Sequence, residues 1–166
     1  MMLLTYLRPA RPDDCETIQV VHTFSVRYAC EHYYDNTVLN AWLARINKDA
    51  YLKAMNEKIL WVAEYKGNIQ GFFQLDLEEG DLDALYVHPF VHRHGLGTAM
   101  LQRAEYIAYQ SGLGLLKLYA SLNSVMFYEL NGYERLGACE LMLNPQVSVK
   151  GELMRKYLNS ETVIEA

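Results

Sequence analysis

The stretch from Leu82 to Ala99 combines features that few folds accommodate together. An apolar strand ends at Pro89, a basic loop follows, and a helix begins at the glycine pair Gly95 and Gly97. Glycine lets the backbone approach a ligand closely, and the free N–H groups in the first turn of a helix attract negative charge. The sequence therefore predicts a cradle for an anionic, nucleotide-like ligand, such as one that carries a pyrophosphate.

Length and charge limit what this cradle can belong to. With 166 residues, of which 51% are hydrophobic, the chain predicts one domain over residues 1–166 with a single core. The formal net charge of -5 argues against binding to nucleic acid or to an anionic membrane surface. We therefore expect a small-molecule or peptide partner, with no nucleic acid and no membrane.

The cysteines and the first residues indicate the compartment. Cys15, Cys30 and Cys139 are odd in number and form no CxxC pair, so neither a disulfide framework nor a zinc site is expected. The first residues carry a short apolar run without the basic region that opens a secretory signal. These features predict a cytoplasmic protein.

Hydrophobic periodicity and turn residues predict a mixture of strands and helices. Strands are predicted at 3–8, 59–65, 68–75, 81–87, 115–119, 133–143 and 146–157. Helices are predicted at 13–34, 37–46, 48–56, 95–111 and 123–130, with Asp13 or Asp14 as the cap of the first. We therefore expect an α/β (α+β) fold with a mixed, mostly antiparallel, twisted sheet and helices on both faces.

Two ordered motifs carry a family resemblance. The first comprises residues 85–89, LYVHP, with the loop at 92–97, HRHGLG, and the second is residues 127–133, FYELNGY. Together they resemble the GNAT superfamily of N-acetyltransferases, and the specific part lies between Leu82 and Tyr133. The resemblance implies a GNAT-like fold and an acyltransferase that uses acetyl-CoA as its cosubstrate and no metal.

The reaction implied by the resemblance is transfer of an acetyl group to a primary amine by direct attack in a ternary complex. A backbone N–H near Val87 would stabilise the oxyanion. The residues that the resemblance assigns to the cofactor are Leu85, Tyr86, Val87, His92, Arg93, His94, Gly95, Leu96, Gly97, Thr98, Asn123 and Phe127. The alternative from another class is a non-catalytic CoA-binding or regulatory module on the same fold.

Two positions depart from the family pattern. The loop begins with His92 where the family has Arg or Gln, and an imidazole carries charge only when it is protonated. CoA is therefore expected to bind more tightly at about pH 6 than at about pH 8. Ahead of the second motif, seven residues before Tyr128, Ser121 stands where the family often has Asn, and Asn123 follows two positions later. Each of these residues either binds the pantetheine arm or caps the helix, and capping is favoured by residue type.

Tyr128 matches the tyrosine that protonates the departing thiolate in the family. A phenol keeps its proton at neutral pH and can deliver it to a sulfur anion. The alternative interpretation is that Phe127 and Tyr128 form only the buried face of a helix.

Asp83 and Asp81 are the candidates for the base that takes a proton from the amine. They alternate with apolar residues, which predicts that both share one face of the strand with Leu85 and Val87. Asp83 is the first choice because it lies nearer the acetyl end. The alternatives are that both residues are simply solvated, or that a chain of waters removes the proton.

The acceptor pocket is expected at residues 28–42, where this fold builds it, and carboxylates across from it favour a cationic amine. The segment contains Glu31, His32, Tyr33, Tyr34 and Asp35, and the residues expected opposite are Asp76, Glu78, Glu79, Asp81 and Asp83. The alternative is a hydrated loop beside a packed aromatic cluster. The acceptor itself, a small molecule or a peptide, is left open by the residues, as is a homodimer.

Other chemistries fit the sequence less well. His88, His92 and His94 are close together but lack the regular spacing of zinc ligands. The Gly-Leu-Gly segment is not a dinucleotide fingerprint, because the third glycine would fall on Met100. No serine lies in a GxSxG elbow, so a serine hydrolase is not indicated.

Overall fold

A computed structural model describes residues 4–165, and within them seven strands form one sheet in the order β1-β2-β3-β4-β5-β7-β6. The strands are β1 (Thr5–Pro9), β2 (Ile59–Tyr65), β3 (Asn68–Asp76), β4 (Asp81–Val87), β5 (Leu115–Ser121), β6 (Glu134–Asn144) and β7 (Val147–Tyr157). All neighbouring strands are antiparallel except β4 and β5, which run parallel. The predicted mixed, mostly antiparallel sheet is confirmed.

Helices cover both faces of this sheet, as predicted. Within residues 4–165 they are α1 (Cys15–Phe24), α2 (Asn36–Leu43), α3 (Lys48–Glu57), α4 (Leu96–Gln110) and α5 (Val125–Leu130). Ile18 of α1 and Phe72 of β3 lie in one buried cluster, whereas Phe73 of β3 packs with Met100 of α4 on the opposite face. None of the helices in this described part is long and apolar enough to cross a membrane.

The first helix ends earlier in the structure than its hydrophobic pattern predicts. The α-helix ends at Phe24, and Ser25–Ala29 continue it as a wider π-helical turn. The chain then turns before α2, where the carboxylate of Asp35 accepts the N–H of Val38 at 3.0 Å. A π turn shifts the side chains that follow it around the helix, and such turns are frequent at functional sites.

A bulge in β4 overturns the predicted arrangement of its carboxylates. The register between β3 and β4 shifts by one residue at Asp83. Leu82 before the bulge and Leu85 after it both pack in the core under α4, although residues three apart on an unbroken strand point to opposite faces. The prediction that Asp81 and Asp83 share a face with Leu85 and Val87 is therefore wrong.

A buried ionic group attaches α4 to the other half of the sheet. Glu105 of α4 is 2% exposed and accepts hydrogen bonds from the hydroxyl of Tyr133 at 2.7 Å and from Nζ of Lys156 at 3.1 Å. Burial raises the pKa of Glu105, and its two donors act against that rise. The group holds Tyr133, the last residue of the second motif, against α4 and β7.

A second ionic group links β1 to the segment that precedes α1. Arg8 of β1 donates to both carboxylate oxygens of Asp14, at 2.8 and 3.0 Å, and the backbone N–H of Arg11 donates to the same carboxylate at 2.7 Å. Asp14 precedes α1 as predicted, but its side chain makes no capping bond to the helix. The hydrogen bonds from Arg8 are the main reason that the pKa of Asp14 is lowered.

We expect Asp14→Asn to destabilise the fold by about 2 kcal/mol at neutral pH, because a charge-assisted pair is lost. A lowered pKa contributes stability above the unfolded-state pKa of about 3.9, and that contribution disappears as pH falls through the folded-state value. Urea denaturation should therefore show a difference in the free energy of unfolding between the variant and the parent chain that is smaller at pH 3 than at pH 7.

Asp13→Asn is the matched control, because the neighbouring Asp13 is exposed. Its effect should stay within about 0.5 kcal/mol at both pH values. Equal losses in the two variants would show that the pair with Arg8 does not stabilise the fold.

Candidate active site

The parallel strands β4 and β5 pair over only two residues of each strand. Asp81 lies opposite Lys117 and Leu82 opposite Leu118, and both strands continue past this point without pairing to each other. A cavity of about 740 Å³ lies along the separated strands. Its lining also includes the loop before α4, the second motif, α2 and the β6–β7 hairpin.

The backbone of β4 directs polar groups at this cavity. The N–H of His88 donates to the carbonyl of Gln70 in β3 at 2.7 Å. Because successive residues of a strand direct their backbone groups to opposite edges, the N–H and C=O of Val87 face the β5 side. Past Leu82 none of the described strands pairs with that side, so the N–H of Val87 is placed where a ligand can reach it.

His92 fixes the loop to the end of β4. Its Nε2 lies 3.1 Å from the carbonyl oxygen of Val87, and since a carbonyl only accepts, Nε2 donates. The other ring nitrogen, Nδ1, then donates to a ligand only when the imidazolium forms. His92 is exposed and lines the cavity.

The loop and the helix start contain backbone conformations that suit a phosphate cradle. Gly95, which precedes α4, has φ +78°, and Arg93 has φ +70°, in a region that side chains with a Cβ rarely adopt. At Gly97 a Cβ would lie 3.3 Å from the ring of Phe127 and 3.7 Å from Val87. Glycine is thus favoured at position 95 by the backbone conformation and at position 97 by the close packing against Phe127.

The three neighbouring histidines take three different partners. Nδ1 of His88 accepts a hydrogen bond from the N–H of Phe90 at 3.2 Å. The pKa of His88 is lowered mainly by burial and to a smaller extent by the neighbouring His92. Nδ1 of His94 lies 3.3 Å from the hydroxyl of Tyr65, and His94 does not line the cavity. Among residues 4–165 no group of three His, Cys, Asp or Glu side chains is placed to hold a metal.

Tyr128 is buried against the cavity. It is 6% exposed, its ring packs at 5.1 Å from that of Phe127 and at 5.5 Å from that of Tyr133, and it lines the cavity. Burial raises the pKa of Tyr128, so its hydroxyl keeps its proton at neutral pH. None of the hydrogen bonds among the described side chains involves this hydroxyl, which leaves it available to a ligand.

Asn123 is held by a contact that the sequence did not indicate. Burial raises the pKa of Cys30 to about 12, and its thiol donates to Oδ1 of Asn123 at 3.4 Å. The amide nitrogen of Asn123 is then left for the cavity that this residue lines. Neither Asn123 nor Ser121 caps α5 through its side chain, so the predicted capping role is wrong for both.

Asp83 and Asp81 line the cavity, and each forms an ion pair with a lysine. Oδ2 of Asp83 accepts from Nζ of Lys58 at 2.8 Å and from Gln74 at 3.0 Å, and Asp81 lies 3.4 Å from Nζ of Lys117. Each carboxylate thus meets a cation before any ligand binds. The second oxygen of Asp83 has no partner among the described side chains and can accept from water or an amine.

The predicted acceptor residues are mostly elsewhere. In the segment 28–42, the residues that line the cavity are Ala29, Cys30 and Trp42. The predicted residues that do not line it are Glu31, His32, Tyr33, Tyr34, Asp35, Asp76, Glu78 and Glu79, and for these the prediction is wrong. Asp76, for example, bonds the N–H groups of its own turn and lies 3.3 Å from Lys58.

Several lining residues were missed by sequence reasoning. They include Ser25, Arg45, Tyr119, Leu141, Met142, Leu143, Val149 and Lys150. Their residue types and period-two spacing indicate strands and helices, but no local motif marks them as part of a site. Of the residues predicted as catalytic or cofactor-binding, all but His94 line the cavity.

Comparison with known proteins agrees with this geometry. A family model described as an acetyltransferase (GNAT) domain matches residues 29–140. No curated protein matches the chain.

Among solved structures, a GCN5-related N-acetyltransferase from Rhodopseudomonas palustris is similar, with a TM-score of 0.87 and 24% identity over 95% of this chain and 98% of that one. The PaiA N-acetyltransferase of Thermoplasma acidophilum, solved with coenzyme A, has a TM-score of 0.78 and 21% identity over 93% and 99%. YncA of Salmonella typhimurium, solved with its cofactor acetyl-CoA, has a TM-score of 0.66 and 18% identity over 99% of both chains.

At these identities the solved structures show a shared fold. The family match is independent of them and spans β4, the loop before α4 and the second motif. Because it covers more than half of the sequence, this chain belongs to the GNAT acetyltransferase family.

Proposed function

We propose that this chain moves the acetyl group of acetyl-CoA to a primary amine by direct attack in a ternary complex. The observation that carries the proposal is one cavity that joins the N-terminus of α4, the gap between β4 and β5, and Tyr128. A pyrophosphate at the helix end, a pantetheine arm in the gap and a thioester beside a phenol fit that order. Two similar structures that hold CoA or acetyl-CoA support the choice of donor.

In the proposed reaction the amine nitrogen attacks the thioester carbonyl, so that a C–N bond forms and the C–S bond breaks. The N–H of Val87 donates to the oxyanion, and Asp83 or a water beside it takes the proton of the amine. Tyr128 gives its proton to the departing thiolate and regains one from solvent.

The state of the thiols supports direct transfer rather than a covalent intermediate. A nucleophilic cysteine requires a lowered pKa. Burial instead raises the pKa of each cysteine in this chain: Cys15, Cys30 and Cys139.

Tyr128→Phe tests the proposed acid. We expect turnover to fall about a hundredfold, because general acid catalysis of the C–S cleavage is lost. The affinity for acetyl-CoA should stay unchanged, since the ring remains in place. Thiol release with an amine panel and calorimetry with acetyl-CoA and CoA measure the two quantities separately.

Tyr133→Phe is the matched control, because its hydroxyl bonds to Glu105 and does not face the cavity. This variant should lose stability and keep its turnover. Unchanged turnover in Tyr128→Phe would remove Tyr128 from the mechanism. Binding of CoA by the parent chain without acetyl transfer to any amine would instead favour a non-catalytic CoA-binding module.

Asp83→Asn tests the proposed base. We expect kcat/KM to fall about a hundredfold and the acidic limb of the pH–rate profile to be lost, because an amide cannot accept the proton. Asp81→Asn, on the same strand, is the comparison and should keep that limb. An acidic limb in Asp83→Asn that matches the parent chain would exclude Asp83, and its loss only in Asp81→Asn would reassign the base.

Arg93→Gly tests the proposed phosphate contact. Relief of the positive φ should stabilise the fold by up to about 1 kcal/mol, whereas loss of the guanidinium should weaken CoA binding about tenfold. Lys66→Gly is matched to it, since Lys66 also has a positive φ, of +52°, and lies in the β2–β3 turn away from the cavity. Denaturation and calorimetry should show that Lys66→Gly gains stability with no change in CoA affinity; equal CoA affinity in both variants would remove Arg93 from the site.

A further inference from the structure

The cavity extends beyond the part that the proposed donor needs. The phosphate loop and the gap between β4 and β5 form one part. The remainder reaches Trp42 of α2 and Leu141, Met142 and Leu143 of β6, all distant in sequence from the loop. This acceptor end, as we call the part lined by Trp42, Tyr119 and residues 141–143, is where an amine would approach the thioester.

Large apolar side chains dominate the acceptor end, and they are open to solvent. Tyr119 is 53% exposed, Leu141 43% and Met142 59%, although all three line a concave surface. Apolar area that is left uncovered inside a cavity binds an apolar ligand favourably, because water leaves both surfaces.

Hydrogen bonds hold the walls of the acceptor end in place. Arg45, after α2, donates to the carbonyl of Met142 at 3.2 Å and to that of Leu143 at 2.9 Å. The hydroxyl of Tyr34 donates to the carbonyl of Lys150 in β7 and accepts the N–H of Leu122 at 2.9 Å. The pocket is therefore preformed, so an occupant does not have to order the hairpin.

The charges around the cavity do not suit a polycation. Among the described residues that line it, Asp81 and Asp83 are the acids, and each already has a lysine partner. Arg45, Arg93 and Lys150 add positive charge to the lining. An acceptor with a second ammonium group would meet apolar or cationic surface, and burial of an unpaired charge there is costly.

We infer that the acceptor is a primary amine with an apolar, aromatic or aliphatic body, whose amine is its only positive charge. The inference rests on the proposed acetyl transfer and narrows its substrate class. It replaces the expectation of an acidic pocket for cations with that of an apolar pocket in which a single amine reaches the donor.

The direct test compares two primary amines with acetyl-CoA at saturation. 2-Phenylethylamine has the inferred chemistry, and 1,4-diaminobutane adds a second ammonium. We expect kcat/KM for 2-phenylethylamine to exceed that for 1,4-diaminobutane by about tenfold or more, because a matched apolar body is worth that much in a hydrophobic pocket. Calorimetry of the two amines with the CoA-bound chain should give the same ranking without turnover.

Two leucines of β6 provide a matched pair of variants. Leu141 lines the cavity and Leu136 does not, yet their exposed fractions are 43% and 42%. Leu141→Glu should lower kcat/KM for 2-phenylethylamine about tenfold and raise kcat/KM for 1,4-diaminobutane, because it adds a carboxylate to an apolar wall. Leu136→Glu should alter neither, and both variants should bind CoA as the parent chain does.

The inference is overturned if 1,4-diaminobutane equals 2-phenylethylamine in kcat/KM and in binding, or if Leu136→Glu acts like Leu141→Glu. Failure of the proposed function is a different result: the parent chain then fails to bind acetyl-CoA and CoA, or it binds them and transfers acetyl to no amine. Transfer to a polyamine, with CoA bound normally, removes the substrate class alone.

Discussion

The rest of the site depends on the separation of β4 from β5. The two strands pair at Asp81 and Leu82, and past that point the backbone groups on the open side of β4 have no strand to bond. Unpaired polar groups of the backbone are costly when they are buried, so such an edge needs water, a side chain or a ligand. His92 satisfies the carbonyl of Val87, and the adjacent N–H is left to a ligand.

Packing on either side keeps the strands apart. β5 pairs with β7 along its whole length, so it cannot swing towards β4. Leu96 anchors the start of α4 in the core at 1% exposure, while Glu105 ties the same helix to Lys156 of β7. The opening is thus part of the folded sheet, and a donor that enters it meets groups that are already oriented, which reduces the entropic cost of binding.

Much of this arrangement could be predicted from the sequence, because the signals are local. Turn residues and apolar periodicity predicted the strands and the later helices to within a few residues, and the glycines at 95 and 97 marked the start of α4. The first helix is the exception, since it was predicted to reach residue 34 and its α-helical part ends at Phe24. Asp83 shows where such signals stop. Strict alternation assigned it to the wrong face, because a bulge depends on how β3 and β4 pair and leaves no pattern within β4 alone.

By itself, the sequence determined the class of the sheet, the glycine-containing loop before α4 and the helix that carries Tyr128, since each depends on residues close together in the chain. The tertiary structure alone decided the partners: His94 lies against Tyr65, Lys58 reaches Asp83, and Cys30 holds Asn123. It also decided that the acceptor end is apolar, because β6 supplies that wall from the far end of the chain. Contacts of this kind follow strand register and helix docking, and a shift of one residue in either exchanges the side chains that meet.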